Sequence, residues 1–219
     1  MTPWATMQVA DSALPTGSFA HSGGLEAAAQ LGRCGDANGL GRLLEEALWS
    51  IGASALPFVS AALQEPERLT DWDARCDATL PGHVANRASR VQGRAFLRAM
   101  ACARPSDVGP LARRVDAERI GGHLAPVFGA VLSCLGAQRE EAARLYLFHA
   151  ARAMVSAGVR LGITGPLEGQ GLLAGAEAVV EGVLAACLSR PPADAASTSP
   201  VLDLLQGHQD RLYSRLFQS

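Results

Sequence analysis

With 219 residues, 48% apolar and 18% charged side chains, the chain can bury one sizeable core; it has neither the polarity of a disordered segment nor the unbroken apolar runs of membrane spans. A formal net charge of -2 and the absence of any Lys/Arg-rich tract leave out the electrostatic footprint of a nucleic-acid binder. All 19 basic residues are arginine, which excludes a P-loop lysine and a Schiff-base lysine, and with them a conventional P-loop NTPase.

The opening Met1-Thr2-Pro3-Trp4 carries neither the basic nor the apolar part of a signal peptide. The five cysteines, Cys34, Cys76, Cys102, Cys134 and Cys187, are widely spaced without a C-x-x-C pair, as suits reduced thiols, so a cytoplasmic location is expected. Between Asp11 and Glu26 stand proline, three glycines, Phe19, His21, hydroxyls and a carboxylate, a density that predicts a shaped turn followed by a helix with Glu26 in its first turn, where the helix dipole favours it. A small serine hydrolase using Ser22 and His21 is an alternative, but Ala20 replaces the first glycine of the G-x-S-x-G elbow and no strand precedes it.

Apolar residues at helical spacing predict two helices across 36–64 with a break at Pro57. Pro66 opens another through about Thr79, closed by Pro81-Gly82. The next runs from His83 to about Ala103, with Val84, Ala88, Val91 and Ala95 as its apolar stripe. Arg87, Arg90, Arg94 and Arg98 share an adjacent face. Such charges usually form a solvated face, but four arginines among only Ser89 and neutral residues repel one another unless acidic groups face them, and this favours a partner surface. A segment near Leu111–Ile120, a glycine pair at Gly121-Gly122, and helices over Leu124–Leu135 and Arg139–Leu161 follow. Pro166 starts a further helix, and Leu172–Leu188 carries it. Its Gly169-Gln170-Gly171-Leu172-Leu173-Ala174 matches G-x-G-x-x-A only formally, because no sheet is present to give that fingerprint its setting. The span 191–200, rich in Pro, Ala and Ser, reads as a flexible linker. Val201, Leu205, His208, Leu212 and Leu216 then predict one face of a last helix. The five histidines are far apart and none forms H-x-x-x-H, so no tightly bound metal is expected.

Taken together these elements predict an all-α fold: a single compact multi-helix domain over 1–190, a flexible linker over 191–200, and a C-terminal docking helix or tail over 201–219. The segment from Met7 to Glu26 resembles the N-terminal signature of the urease accessory protein F (UreF) family. Asn86 to Leu97 resembles that family's arginine-serine-arginine helix, and Tyr213-Ser214-Arg215-Leu216-Phe217-Gln218-Ser219 its terminal tail. The stretch Val159–Gln170 follows the family pattern only loosely. The resemblance implies a non-catalytic homodimeric scaffold that joins UreD (UreH) and the nickel-carrying GTPase UreG on apo-urease, with nickel only in transit and no tightly bound cofactor. Regulation of the UreG GTPase is the runner-up. Arg87, Ser89, Arg90, Arg94, Arg211, Tyr213, Arg215, Leu216 and Phe217 are the expected partner-binding residues, and Phe19, His21, Ser22 and Glu26 candidates for a dimer contact or the ion path.

Overall fold

In the computed structural model, which describes residues 1–219, the alanine-rich segments punctuated by proline and glycine form eleven α-helices and no strand. They are α1 (Pro3–Ala10), α2 (Leu25–Gln30), α3 (Ala37–Ser54), α4 (Leu56–Gln64), α5 (Leu69–Thr79), α6 (His83–Ala103), α7 (Pro105–Ala117), α8 (Leu124–Cys134), α9 (Arg139–Arg160), α10 (Pro166–Cys187) and α11 (Pro200–His208). Helix starts follow local chemistry: Asp36 caps α3 by accepting from Gly39 N, and Pro3, Pro57, Pro105, Pro166 and Pro200 stand in first turns, where a missing N–H is harmless. The break expected at Pro57 falls at Ala55, and α3 and α4 meet at 41°.

The centre is α8, whose Ala125 to Leu132 are all buried, packed on α4 and enclosed further by α5, α6, α7 and α9. Glycine lets α4 and α8 touch through their backbones: a Cβ on Gly129 would stand 2.2 Å from the Val59 carbonyl oxygen. Phe128 projects from α8 to stack on Phe96 of α6, with ring centroids 4.9 Å apart, and meets Tyr146 and His149 of α9 edge-on. Helix α10 lies against α3 and α9. By length and composition it could cross a membrane, yet it carries Glu168, Glu177 and Glu181, and Arg144 of α9 pairs with Glu181.

Four expectations change. Helix α1, unpredicted, forms behind Thr2, whose hydroxyl accepts from Ala5 N. Helix α7 begins at Pro105 rather than near Leu111, because proline at its first position starts the turn. The span 191–200 is held rather than loose: Ala196 N donates to the Ala53 carbonyl, Ser197 meets Ser50, and Ser199, buried, bonds Glu46 while capping α11 at Leu202 N. The last helix ends at His208, a 3-10 turn covers Gln209–Arg211, and Leu212–Ser219 is irregular because its amides find acceptors on the body.

Candidate functional site

The glycines of the N-terminal motif do conformational work that other residues would do only under strain: Gly17, Gly23 and Gly24 have φ of 75°, 63° and 93°. They bend residues 16–24 into a loop around the 3-10 turn Ser18–Ala20, and its backbone and side-chain groups meet the chain's other end. Ala20 O accepts from Gln218 N at 2.7 Å, and Ser22 N donates to Ser219 O at 2.5 Å. Glu26, 2% exposed, is the hub: Oε1 accepts from Leu216 N at 2.5 Å, and Oε2 from Phe217 N at 3.1 Å and from Gln209 Nε2 at 2.6 Å. Its carboxylate thus serves the tail more than the dipole of α2. The Phe217 ring is buried under the Arg160 guanidinium, which lies 4.3 Å from that ring's centroid and 3.6 Å from that of exposed Phe19. Gln30 Nε2 donates to Ser214 O at 2.8 Å.

Tail and arginine face meet. Asp210 accepts from Arg87 at 3.0 Å and from Arg215 at 3.3 Å, and His83 Nε2 lies 3.1 Å away. The Arg87 hydrogen bond, with His83 nearby, holds the Asp210 carboxyl below the usual range. Tyr213 stands fully in solvent and Leu216 is half exposed, while Arg211 is exposed on the turn before them. Of the nine expected partner-binding residues, Arg87, Arg90, Arg94, Arg211, Tyr213, Arg215 and Leu216 face outward, whereas Phe217 is buried in the junction. On α6 the buried residues are Val84, Ala88, Gly93, Phe96, Leu97 and Met100; Val91, expected in the apolar stripe, is 46% exposed.

Ser89 is committed inward. Its Oγ accepts from Leu124 N at 3.1 Å, capping α8 from a neighbouring helix, and lies 3.2 Å from His123 Nδ1; His123 Nε2 is 2.9 Å from Asp77 Oδ1. Asn86 and then His123 keep the Asp77 carboxyl below its ordinary range. Ser89, His123 and Asp77 form a serine–histidine–aspartate chain that spacing 46 and 34 residues apart conceals. The imidazole is fully buried and the hydroxyl occupied by an amide, so the chain fastens three helices together. The Ser22–His21 pair is equally unsuited to nucleophilic work: Ser22 is 2% exposed with its Oγ on Glu26 N, and His21 turns Nδ1 to the Ser219 hydroxyl. Burial, and secondarily the charge of Arg87, lowers the His21 pKa, so the ring is neutral near pH 7.

A cleft of about 570 Å³, unforeseen in the sequence, opens between the end of α1, α9 and α10, lined by the apolar Phe148, Val155 and Leu173 and by the charged Asp11 and Arg152. No group of three or more His, Cys, Asp or Glu side chains is disposed to hold a metal ion.

The UreF family model matches residues 34–177. Urease accessory protein F of Arabidopsis thaliana is 38% identical to the chain over 223 aligned residues, covering 99% of this chain and 92% of the plant protein. Urease accessory protein F of Oryza sativa subsp. indica is 34% identical, covering 98% of the chain and 84% of the rice protein, and urease accessory protein UreF of Agrobacterium fabrum is 31% identical, covering 94% and 92%.

Proposed function

Given that the chain belongs to the urease accessory protein F family, one of accessory proteins and not of enzymes, we propose that it is a maturation scaffold that joins UreD (UreH) and the GTPase UreG on apo-urease so that nickel reaches the urease active site. Nickel is cargo in this reading, and the chain holds it only in transit. The observation that carries the surface assignment is the convergence of Arg87 and Arg215 on Asp210, which merges the α6 face and the tail into one patch capped by solvent-exposed Tyr213. An aromatic and several arginines around a fixed backbone are the residue types that anchor protein interfaces. Self-association as a homodimer is supported by the outward side of α10, where Leu167 is 89% exposed and Ala174, Ala178 and Ala185 leave little side chain between the helix and an approaching surface. Work in the cytoplasm, without membrane or nucleic acid, belongs to the same reading.

Co-purification of the tagged chain with UreD, UreG and apo-urease of the source organism tests it, together with urease activity in cells whose own gene is replaced by a version without Arg211–Ser219. The truncated chain is expected to remain helical and to lose both the complex and the activity. A folded truncation that still activated urease would sink the tail's part in the scaffold, and absence of any complex with the intact chain would sink the scaffold itself.

A further inference from the structure

The Gly121–Gly122 peptide joins two charges of opposite sign. Its N–H donates to Asp73 Oδ1 at 3.0 Å and its carbonyl accepts from Arg94 Nε at 2.9 Å; the neighbouring His123 N also donates to Asp73 Oδ1, at 2.7 Å. Because the peptide is trans, N–H and C=O point in opposite directions, so carboxylate, peptide dipole and guanidinium stand in line with each dipole end on the charge that favours it. Asp73 is 5% exposed and no arginine or histidine pairs with it directly. The arrangement is built by glycine on all sides. A Cβ on Gly121 would come 2.6 Å from Asp73 Oδ2, one on Gly122 (φ 83°) 2.8 Å from Arg94 Cγ, and one on Gly93 2.2 Å from the Gly122 oxygen.

Held by Nε, Arg94 is fixed along its stem while Nη1 and Nη2 remain free toward solvent, one turn from Arg90 and Arg98. Those two nitrogens are the edge of a guanidinium that takes a carboxylate in paired hydrogen bonds. We propose that Arg94 recognises an acidic side chain on a protein partner, and that Asp73 is its positioning residue, acting through the Gly121–Gly122 peptide. This rests on the reading of the α6 face as a partner surface.

The test measures binding of the full chain to UreD, UreG and apo-urease separately, for Arg94→Ala, Arg94→Lys, Asp73→Asn and the double variant Asp73→Asn/Arg94→Ala, each first shown to be helical. For one of the three partners, Arg94→Ala is expected to weaken binding about tenfold or more, and Arg94→Lys, which keeps the charge without the planar edge, at least about threefold. Asp73→Asn is expected to weaken it about threefold or more in the native background and less than about twofold when Arg94 is already alanine, a coupling that a merely structural aspartate does not produce. Native-like binding by Arg94→Lys, or an equal effect of Asp73→Asn in both backgrounds, overturns the proposal. Displacement by inorganic phosphate but not by glutarate overturns the carboxylate class. Should Arg94→Ala bind normally while Arg87→Ala or Arg90→Ala does not, this inference fails and the α6 surface stands; should none of them matter, the surface reading fails as well.

Discussion

Replacing Glu26 by glutamine changes one atom type in the junction between the N-terminal loop and the tail. The native carboxylate accepts three hydrogen bonds, from Leu216 N, Phe217 N and Gln209 Nε2. The amide has a single oxygen. Placed where Oε2 was, it keeps two of the bonds but turns an NH2 toward Leu216 N, a donor against a donor. Losing one charge-assisted bond is worth about 1.5–3 kcal/mol, and the remaining two fall to neutral strength, so the docked tail should weaken by about 3 kcal/mol. At about 1.4 kcal/mol per factor of ten, that is on the order of a hundredfold in the opening equilibrium. Amide hydrogen exchange read by mass spectrometry is the assay: protection over 212–219 should fall by about that factor, while α8 exchanges as before, because opening the tail leaves the core intact. A loss of protection below about threefold, or an equal loss in α8, would show that Glu26 does not hold the tail in the manner described.

Gly93→Ala should lower the melting temperature clearly, by overpacking worth about 1–3 kcal/mol or more, since the new Cβ would stand 2.2 Å from the Gly122 oxygen and 2.8 Å from the His123 carbonyl carbon, both backbone; an unchanged melting curve would refute the close approach. Ser89→Ala should cost about 1–2 kcal/mol in denaturant unfolding by uncapping Leu124 N, yet leave partner binding native; lost binding by a stable variant would return Ser89 to the partner surface. Burial pushes the His149 pKa from 6.5 to about 4, with Arg152 adding to the effect. The unfolded chain therefore takes up this proton before the folded one does: stability is full above about pH 6.5 and declines as pH falls toward 4, by about 3 kcal/mol in total. His149→Gln should flatten that part of the pH–stability profile, and a parallel profile would count against the assignment.

What sequence reasoning reached was local. Proline and glycine stop one helix and start the next through their own dihedral limits, which is why Pro66, Gly82 and Pro166 mark real boundaries. Arg90 and Arg94 lie on one face because helical spacing alone puts them there. Partners far along the chain are another matter. Ser89 looks like one more polar residue between arginines, and only the packing of α6 on α8 brings Leu124 N to its hydroxyl. Glu26 satisfies every expectation for a first-turn carboxylate, while its use, as acceptor for amides 190 and 191 residues away, has no trace in spacing. The tail misleads in the opposite sense: Leu205, Leu212 and Leu216 keep a helical rhythm, but Leu216 and Phe217 give their N–H groups to Glu26 instead of to carbonyls four residues back. Short α1, eight residues long, has too few turns for periodicity to register.

The junction between loop and tail also has a consequence in time. Glu26 and Leu216 are 190 residues apart and His21 and Ser219 198 apart, while the helices of the core meet both near neighbours, such as α6 with α7, and distant ones, such as α4 with α8 and α3 with α10. Contacts between neighbours close short loops and form early, and a contact across so long a stretch is entropically reachable only once the intervening chain has collapsed. Beyond Arg211 only Phe217 and Ser219 are buried, so the patch that unites Arg87, Asp210, Arg215 and Tyr213, which needs both the packed α6 and the docked tail, should be among the last features to appear during folding and the first to dissolve. A partner that reads this patch engages only molecules whose helical core is already finished, so that recognition doubles as a check on folding.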